Sequence, residues 1–203
     1  MKKQLSGILS VLVLMMVVAC GGGEADRGAA TEVGDDSGAG HISDSDVGDD
    51  SASAAKAMAT IEAKNDSGVS GSATFVAIEG QVMLTLEISG ATPGEHAFHL
   101  HEIGDCSAAD GTSAGGHWNP THADHGKWGD GAFHLGDVGN LIVDEAGNAS
   151  LTVGTNLWTI GTGEDSDVVG RAVIVHAGVD DFQTQPTGAA GGRIGCGVIE
   201  IAE

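Results

Sequence analysis

A histidine-rich stretch, residues 98–137, holds the side chains of this chain that are best suited to chemistry. Imidazole is the commonest protein ligand for borderline metals such as zinc and copper. Six of the nine histidines lie in this stretch at uneven spacing, and Asp137 ends it. These histidines are His99, His101, His117, His122, His125 and His134. The stretch therefore predicts a metal site.

Two of these histidines, His99 and His101, are separated by one residue in a run typical of a β-strand. Side chains alternate between the two faces of a strand, so both imidazoles suit one metal while Phe98 and Leu100 point into the core. His176 ends another apolar strand and can also project from a rigid element. Each signal has a plain alternative, since such a pair is often incidental and a single strand histidine is often a hydrogen-bonded core residue.

A second group of candidate ligands comes from a glycine-rich segment. His117, His125, His134 and Asp137 combine three imidazoles with one carboxylate. That set suits a tetrahedral zinc with all four positions filled, and zinc would shape a loop that has little apolar content. The alternative for Asp137 is a turn-forming role.

The elements that must position these residues are β-strands. One run places four alternating apolar residues on a single face: Val82, Leu84, Leu86 and Ile88. Comparable runs cover about 59–64, 69–78, 95–101, 141–143, 149–153, 171–176 and 196–201. Seven or eight short strands without a convincing helix predict an all-β domain, either an antiparallel sandwich or a flattened barrel. Two segments, about 102–135 and 177–194, are too long for turns and are expected to be functional loops.

The N-terminus has the pattern of an export signal, expected to cover residues 1–19. Lys2 and Lys3 precede an apolar run, Ile8 to Val18, that is too short to span a bilayer. Cys20 then resembles the lipidated cysteine of bacterial lipoproteins, and the alternative is an ordinary signal peptide with a chance cysteine. We therefore expect an exported protein that is lipid-anchored to the cell envelope, on the periplasmic or outer surface.

Composition divides the rest of the chain into two parts. Residues 20–57 hold nine acidic residues and almost no large apolar ones, so we expect a flexible acidic tether there. The folded domain is expected over residues 58–203. If Cys20 carries lipid, Cys106 and Cys196 remain, and two cysteines in an exported domain predict one disulfide.

The charge limits the choice of partners. The chain has a formal net charge of -21 at pH 7. From Met58 onward, the chain has twenty Asp and Glu but only four basic side chains, which are Lys64, Lys127, Arg171 and Arg193. A surface this acidic excludes nucleic acid as an electrostatic partner.

Taken together, the motifs resemble the copper/zinc superoxide dismutase family, with a bacterial lipoprotein-type signal. The resemblance covers residues 58–203 and rests on these motifs: His99-x-His101, His117 with Asn119-Pro120, His125, His134-x-x-Asp137, His176 and Arg193-x-x-Cys196-Gly197. It implies an eight-stranded antiparallel Greek-key β-barrel, which agrees with the strand count. It also implies superoxide dismutation, which converts two superoxide radicals and protons to dioxygen and hydrogen peroxide.

The resemblance also implies one copper and one zinc per subunit. The implied copper ligands are His99, His101, His117 and His176. The implied zinc ligands are His117, His125, His134 and Asp137, so that His117 bridges both metals and is catalytic. Asp180 would link a copper histidine to a zinc histidine, Arg193 would bind the superoxide anion, and Cys106 and Cys196 would form the disulfide.

Some features depart from the family pattern or have no part in it. Residues 177–192 contain no Lys or Arg, so long-range attraction of an anion is expected to be weak. His96 matches a buried structural histidine, and His122 matches no ligand position.

The alternative function is a non-catalytic copper- or zinc-binding module on the same fold, but such modules commonly lose a copper ligand or the arginine, and both are kept here. A homodimer stays open.

Overall fold

The computed structural model describes residues 54–203, so the predicted signal peptide, Cys20 and most of the tether lie outside the described residues. The strands are β1 (Lys56–Ala63), β2 (Ser70–Ile78), β3 (Gln81–Ser89), β4 (Gly94–His101), β5 (Gly139–Val143), β6 (Ala149–Thr155), β7 (Ala172–His176), β8 (Arg193–Val198) and β9 (Glu200–Ile201). A short 3-10 helix, Thr112–Ala114, lies between β4 and β5. Between residues 54 and 203, no helix is long and apolar enough to cross a bilayer.

The strands form one antiparallel sheet in the order β5-β4-β7-β8-β1-β2-β3-β6, and β9 pairs with β1. Strand β7 does not pair with β6, which precedes it, but returns to pair with β4. A strand that returns to lie beside the first of three consecutive strands makes a Greek key. The sheet curls into a nearly closed barrel, which confirms the predicted all-β class and barrel architecture.

Alternation of apolar and polar residues builds the barrel core, as the sequence predicts. On β3, Val82, Leu84, Leu86 and Ile88 are all buried. Leu84 lies opposite Phe75 of β2, and both are fully buried. Full burial of each such side chain contributes roughly 1.5–3 kcal/mol, so the alternating strands supply much of the stability of the fold.

Strand β4 differs from β3, because it is buried on both faces from His96 to His101. Phe98 and Leu100 belong to the barrel core. His99 and His101 lie on the opposite face and are also fully buried. Loops rather than the barrel must therefore cover the histidine face of β4.

Strand β1 begins two residues before the expected domain boundary at Met58. Lys56 and Ala57 already pair with Val76 and Phe75 of β2, and Ala57 is fully buried. Alanine gives a weak apolar signal in the sequence, although its small side chain fits beside a buried aromatic ring. The folded domain therefore reaches into the segment that the sequence assigns to the tether.

The last predicted strand divides in two. Strand β8 starts at Arg193 and ends at Val198, and Ile199 interrupts the pairing before β9. Ile199 is fully buried in the core, whereas Ile201 is more than half exposed. The apolar residues near the C-terminus therefore belong partly to the core and partly to the surface.

A third long connection, residues 156–171 between β6 and β7, carries no strong sequence signal. Buried Asp167 organises it, accepting hydrogen bonds from the backbone N–H groups of Gly161, Gly163 and Val169 at 3.0, 2.7 and 2.9 Å. Burial opposes ionisation of Asp167, but these bonds outweigh burial and lower its pKa. The connection is thus a structured loop built around one carboxylate.

Cys106 and Cys196 form a disulfide between loop 102–138 and β8, across 90 residues of sequence. In the chain-entropy model, closing a loop of that length stabilises the fold by roughly 4–5 kcal/mol. We expect the double variant Cys106→Ser, Cys196→Ser to lose about 2–5 kcal/mol of the free energy of unfolding, measured by urea denaturation. An unchanged denaturation midpoint would show that the link does not stabilise the domain.

Candidate metal centre

Two groups of four buried side chains each bring their potential ligand atoms within 4.8 Å of one another. The strand cluster comprises His99, His101, His117 and His176. The loop cluster comprises His117, His125, His134 and Asp137. Since His117 belongs to both clusters, one imidazole ring connects them.

The strand cluster is built on two paired strands. His99 and His101 lie on β4, and His176 is the last residue of the neighbouring strand β7. The Nε2 atoms of His101 and His176 lie 3.4 Å apart. The ring of His117 reaches the same place, with its centroid 4.0 Å from that of His99.

His117 comes from a loop but is held as if it were part of a strand. It forms an antiparallel backbone bridge with His101. The next residue, Trp118, donates its backbone N–H to the carbonyl of Leu100 at 2.9 Å. The backbone of β4 therefore fixes the position of the His117 imidazole that the two clusters share.

The loop cluster centres on the carboxylate of Asp137. Its Oδ1 atom lies 2.8 Å from His117 Nδ1, 3.0 Å from His125 Nδ1 and 3.1 Å from His134 Nδ1. Its Oδ2 atom accepts backbone N–H bonds from His134 at 2.8 Å and from Gly126 at 3.1 Å. One oxygen is thus anchored by the backbone while the other faces three imidazole nitrogens.

The donor atoms of both clusters fit metal ions. Four imidazole nitrogens are buried without a hydrogen-bond partner: His99 Nδ1, His117 Nε2, His125 Nδ1 and His134 Nδ1. The last two lie near Asp137 but outside hydrogen-bond geometry. A buried polar atom without a partner costs roughly 1–3 kcal/mol, and a metal ion satisfies such a nitrogen.

Hydrogen bonds at the opposite ring nitrogens decide which nitrogen is free to bind a metal. His101 Nδ1 donates to the carbonyl of Gly115 at 3.0 Å, and His176 Nδ1 donates to that of Gly191 at 3.3 Å. Each ring then keeps its lone pair at Nε2. Those are the two nitrogens that face each other in the strand cluster.

Asp180 belongs to neither cluster but forms a hydrogen bond with one histidine of each. Its Oδ2 accepts from His99 Nε2 at 2.9 Å, and its Oδ1 accepts from His125 Nε2 at 2.9 Å. Asn140 holds the backbone of Asp180, donating Nδ2–H to its carbonyl at 3.0 Å and accepting its N–H at 2.8 Å. The carboxylate thereby fixes Nε2 as the nitrogen that keeps its proton, so that Nδ1 of both imidazoles faces the clusters.

Burial sets the protonation state of the strand cluster. It lowers the pKa of His176 to about 3, with a further contribution from His99. Burial also lowers the pKa of His117 to about 4, against the opposing effect of Asp137. Both imidazoles are therefore neutral at pH 7, which is the form that binds a metal.

His125 behaves in the opposite way. Burial lowers its pKa, but the nearby carboxylate of Asp137 and the hydrogen-bonded carboxylate of Asp180 outweigh burial and raise the pKa to about 9. Burial likewise opposes ionisation of both carboxyl groups, and their bonds to histidine still hold their pKa values well below the usual range. Because a metal ion and a proton compete for the same imidazole nitrogen, a metal ion that bound His125 at pH 7 would displace a proton.

Arg193 lies next to the strand cluster as the first residue of β8, opposite His176. Its guanidinium donates to the carbonyl of Gly111 at 2.5 Å and to that of Gly115 at 2.6 Å. His101 donates to the same Gly115 carbonyl. Among residues 54–203 the guanidinium forms no salt bridge with a carboxylate.

The two remaining described histidines stand outside both clusters. His96 is buried, with Nδ1 donating to the carbonyl of His176 at 2.8 Å and Nε2 lying 3.1 Å from the hydroxyl of Thr92. His122 is exposed and has a positive φ of 54°. His96 thus supports the end of β7, and His122 belongs to neither cluster.

A family model described as "Copper/zinc superoxide dismutase (SODC)" matches residues 69–199. The chain belongs to the copper/zinc superoxide dismutase family. The matched span includes every residue of both clusters, together with Arg193 and both disulfide cysteines. The donor atoms described above suit the two metals from which the family takes its name.

Two relatives illustrate the similarity. A superoxide dismutase (Cu-Zn) 1 from Aquifex aeolicus (strain VF5) is 37% identical over 134 residues, which cover 64% of this chain and 79% of the relative. A solved structure described as a crystal structure analysis of the clock protein EA4 matches with a TM-score of 0.65 and 35% identity. That match covers 72% of this chain and 94% of the other.

Two tryptophans support the loop cluster of this copper/zinc superoxide dismutase family member, and sequence reasoning did not find them. Trp128 Nε1 donates to the carbonyl of His134 at 3.2 Å, and Trp158 Nε1 donates to that of Leu135 at 3.0 Å. The two rings pack edge-on with centroids 5.0 Å apart, and Trp158 also contacts Phe75 in the core. This tryptophan pair ties the loop to the barrel.

Gly188 is a further residue that the sequence did not single out. It has a positive φ of 65°, and a Cβ there would overlap the Oδ1 atom of Asp180 and lie 2.6 Å from His125 Nε2. Any other residue would therefore displace the bond between Asp180 and His125. In a chain with 34 glycines, no local pattern distinguishes this one.

Proposed function

We propose that this chain is a superoxide dismutase, which converts two superoxide radicals and two protons to dioxygen and hydrogen peroxide. The observation that carries the proposal is the pair of clusters that share His117, with Arg193 bound to the same carbonyl as His101. A module that only stores metal needs the clusters but has no use for an unpaired arginine beside them.

We assign copper to the strand cluster and zinc to the loop cluster. The copper-binding atoms would be His99 Nδ1, His101 Nε2, His117 Nε2 and His176 Nε2. The zinc-binding atoms would be Nδ1 of His117, His125 and His134 with Oδ1 of Asp137. When bound, copper supplies one-electron chemistry by alternating between Cu(II) and Cu(I), and zinc, which has no redox chemistry, orders loop 102–138.

His117 is the residue that holds and moves a proton. Its Nδ1 belongs to the loop cluster and its unpaired Nε2 to the strand cluster, so a cation on each side makes loss of both ring protons reasonable. Nε2 would take up a proton in the first half of the cycle, when one superoxide gives up an electron and leaves as dioxygen. In the second half it would give that proton up, and another superoxide would take up this proton, a second proton from water and one electron to become hydrogen peroxide.

Arg193 binds and orients the anion. Its two carbonyl contacts, to Gly111 and Gly115, hold the guanidinium in one place before substrate arrives. A preorganised cation beside the reacting centre stabilises negative charge without reorganisation during the reaction. Asp180 contributes indirectly, because it orients His99 and His125.

The test is dismutation by the purified protein loaded with both metals. We expect the loaded protein to accelerate the decay of superoxide, followed by stopped-flow absorbance, and the protein loaded with zinc alone to be inactive. Equal rates of superoxide decay with both preparations would reject the proposed enzyme activity and favour the non-catalytic metal-binding module.

Salt is expected to raise the catalytic rate or leave it unchanged. Residues 54–203 carry five Lys and Arg against twenty Asp and Glu, a formal net charge of -15, and loop 177–192 has no basic residue. Salt therefore screens a net repulsion between the protein and superoxide. The measurement is kcat/KM between about 10 and 150 mM salt, a range over which the Debye length falls from roughly 30 to 8 Å. A steep decrease would mean that local attraction outweighs the net charge.

We further propose that the chain is exported and anchored to the cell envelope, at the periplasmic or outer surface, by lipid on Cys20. The support is the signal-like sequence of residues 1–19 and the position of that cysteine. Mass spectrometry of the mature protein would detect the lipid, and Cys20→Ser should move the protein from the membrane to the soluble fraction. Membrane partition of Cys20→Ser would reject lipidation.

A homodimer also remains a proposal, to be decided by analytical ultracentrifugation.

A further inference from the structure

The backbone of His125 lacks the partners that hold the other loop-cluster residues. His117 is bridged to β4, and Asp137 donates its N–H to the carbonyl of His134 at 3.1 Å. Neither the N–H nor the carbonyl of His125 makes a backbone–backbone hydrogen bond within residues 54–203. Something else must fix the position of this residue.

One side chain from loop 177–192 supplies both missing bonds. Gln185 Oε1 accepts the N–H of His125 at 2.8 Å, and Gln185 Nε2 donates to the carbonyl of His125 at 2.9 Å. A carboxamide has one acceptor and one donor side by side. It can therefore form the two hydrogen bonds, to the N–H and to the carbonyl of one residue, that a neighbouring strand would form. We call this arrangement a carboxamide clamp.

The same device recurs twice around the clusters. Asn119 Nδ2 donates to the carbonyl of Ala123 at 2.8 Å, and its Oδ1 accepts the N–H of Ala123 at 3.0 Å. Asn140 clamps the backbone of Asp180 in the same way. Loops that lack strand neighbours are therefore held by side chains that take the place of a strand.

Loop 177–192 makes further contacts with the loop that carries the zinc-side residues. The ammonium group of Lys127 lies 5.7 Å from the centre of the Phe182 ring, a cation–π distance. Asp180, from the same loop, holds the imidazole of His125. His125 is thus held by this loop at its ring through Asp180 and at its backbone through Gln185.

We propose that Gln185 is a positioning residue for zinc: by clamping the backbone of His125, it sets the site's affinity for the metal. The inference rests on the proposed assignment of zinc to the loop cluster. Residues that orient metal ligands typically contribute 10- to 100-fold to metal affinity. Loop 177–192, which has no basic residue to attract superoxide, therefore serves in this chain to hold the zinc site.

The test compares zinc affinity in matched variants of the full-length protein. Gln185→Ala removes both bonds, and Gln185→Glu keeps an acceptor for the N–H of His125 but loses the donor to its carbonyl. Gln183→Ala and Gln183→Glu are the controls, since Gln183 is exposed on the same loop and its side chain makes no hydrogen bond within residues 54–203. Zinc Kd is measured by chelator competition, and copper binding by its visible spectrum.

We expect both Gln185 variants to raise the zinc Kd about tenfold or more, with both Gln183 variants and the copper spectrum unchanged. Equal zinc Kd values in the two series would overturn the proposal. So would a parallel loss of copper and zinc accompanied by a lower Tm of the metal-free variant, because that result indicates general destabilisation. Unmodified protein that does not take up one zinc per chain would instead reject the zinc assignment itself.

Discussion

His117→Ala is expected to lower the dismutation rate by roughly 10²- to 10⁴-fold, the range that a positioned proton donor contributes. The same change removes a donor atom from each cluster, because Nε2 belongs to the strand cluster and Nδ1 to the loop cluster. Both metals should therefore bind more weakly. The measurements are superoxide decay, the copper absorption spectrum and zinc content of the purified variant.

His122→Ala is the matched control, since His122 lies on the same loop but is exposed and belongs to neither cluster. It should keep the activity and both metals. An unchanged copper spectrum together with unchanged zinc content in His117→Ala would show that His117 does not connect the two sites.

Arg193→Ala should reduce kcat/KM by roughly 10- to 100-fold, the equivalent of losing one hydrogen bond to a charged group. The copper spectrum should not change, since Arg193 contributes no donor atom to the strand cluster. The same variant removes the two bonds to Gly111 and Gly115, so metal content is measured beside the rate.

Arg193→Lys separates charge from geometry. It keeps a cation but loses the planar fork that reaches both carbonyls, so an intermediate rate is expected. Loss of copper from Arg193→Ala would contradict the prediction and assign Arg193 a structural role. A rate equal to that of the unmodified protein would remove it from catalysis.

The strands could be predicted from the sequence because alternation is a local signal. The run from Val82 to Ile88 shows which face is buried without reference to any other part of the chain. The start of β1 gives no clear signal in the sequence, because alanine is only weakly apolar, although Ala57 is fully buried opposite Phe75. An alanine gives no sign in sequence of whether a large partner stands opposite it.

The candidate ligands could also be predicted, because histidine and aspartate types and spacings carry the chemistry directly. What could not be predicted is how the loops hold them. Gln185, Trp128 and Trp158 act through hydrogen bonds from their side chains to the backbone of residues that are not their sequence neighbours. Such contacts leave no periodic pattern in the sequence, since each depends on how the loops fold.

The tryptophan pair gives the protein a built-in optical reporter. The chain has three tryptophans and no tyrosine, so indole fluorescence is free of tyrosine emission. Two of these indoles bind the carbonyls of His134 and Leu135, and the third, Trp118, follows His117. We expect zinc removal to shift the emission spectrum without global unfolding, which far-ultraviolet circular dichroism would check. Metal loading of this protein could then be followed in real time without any added label.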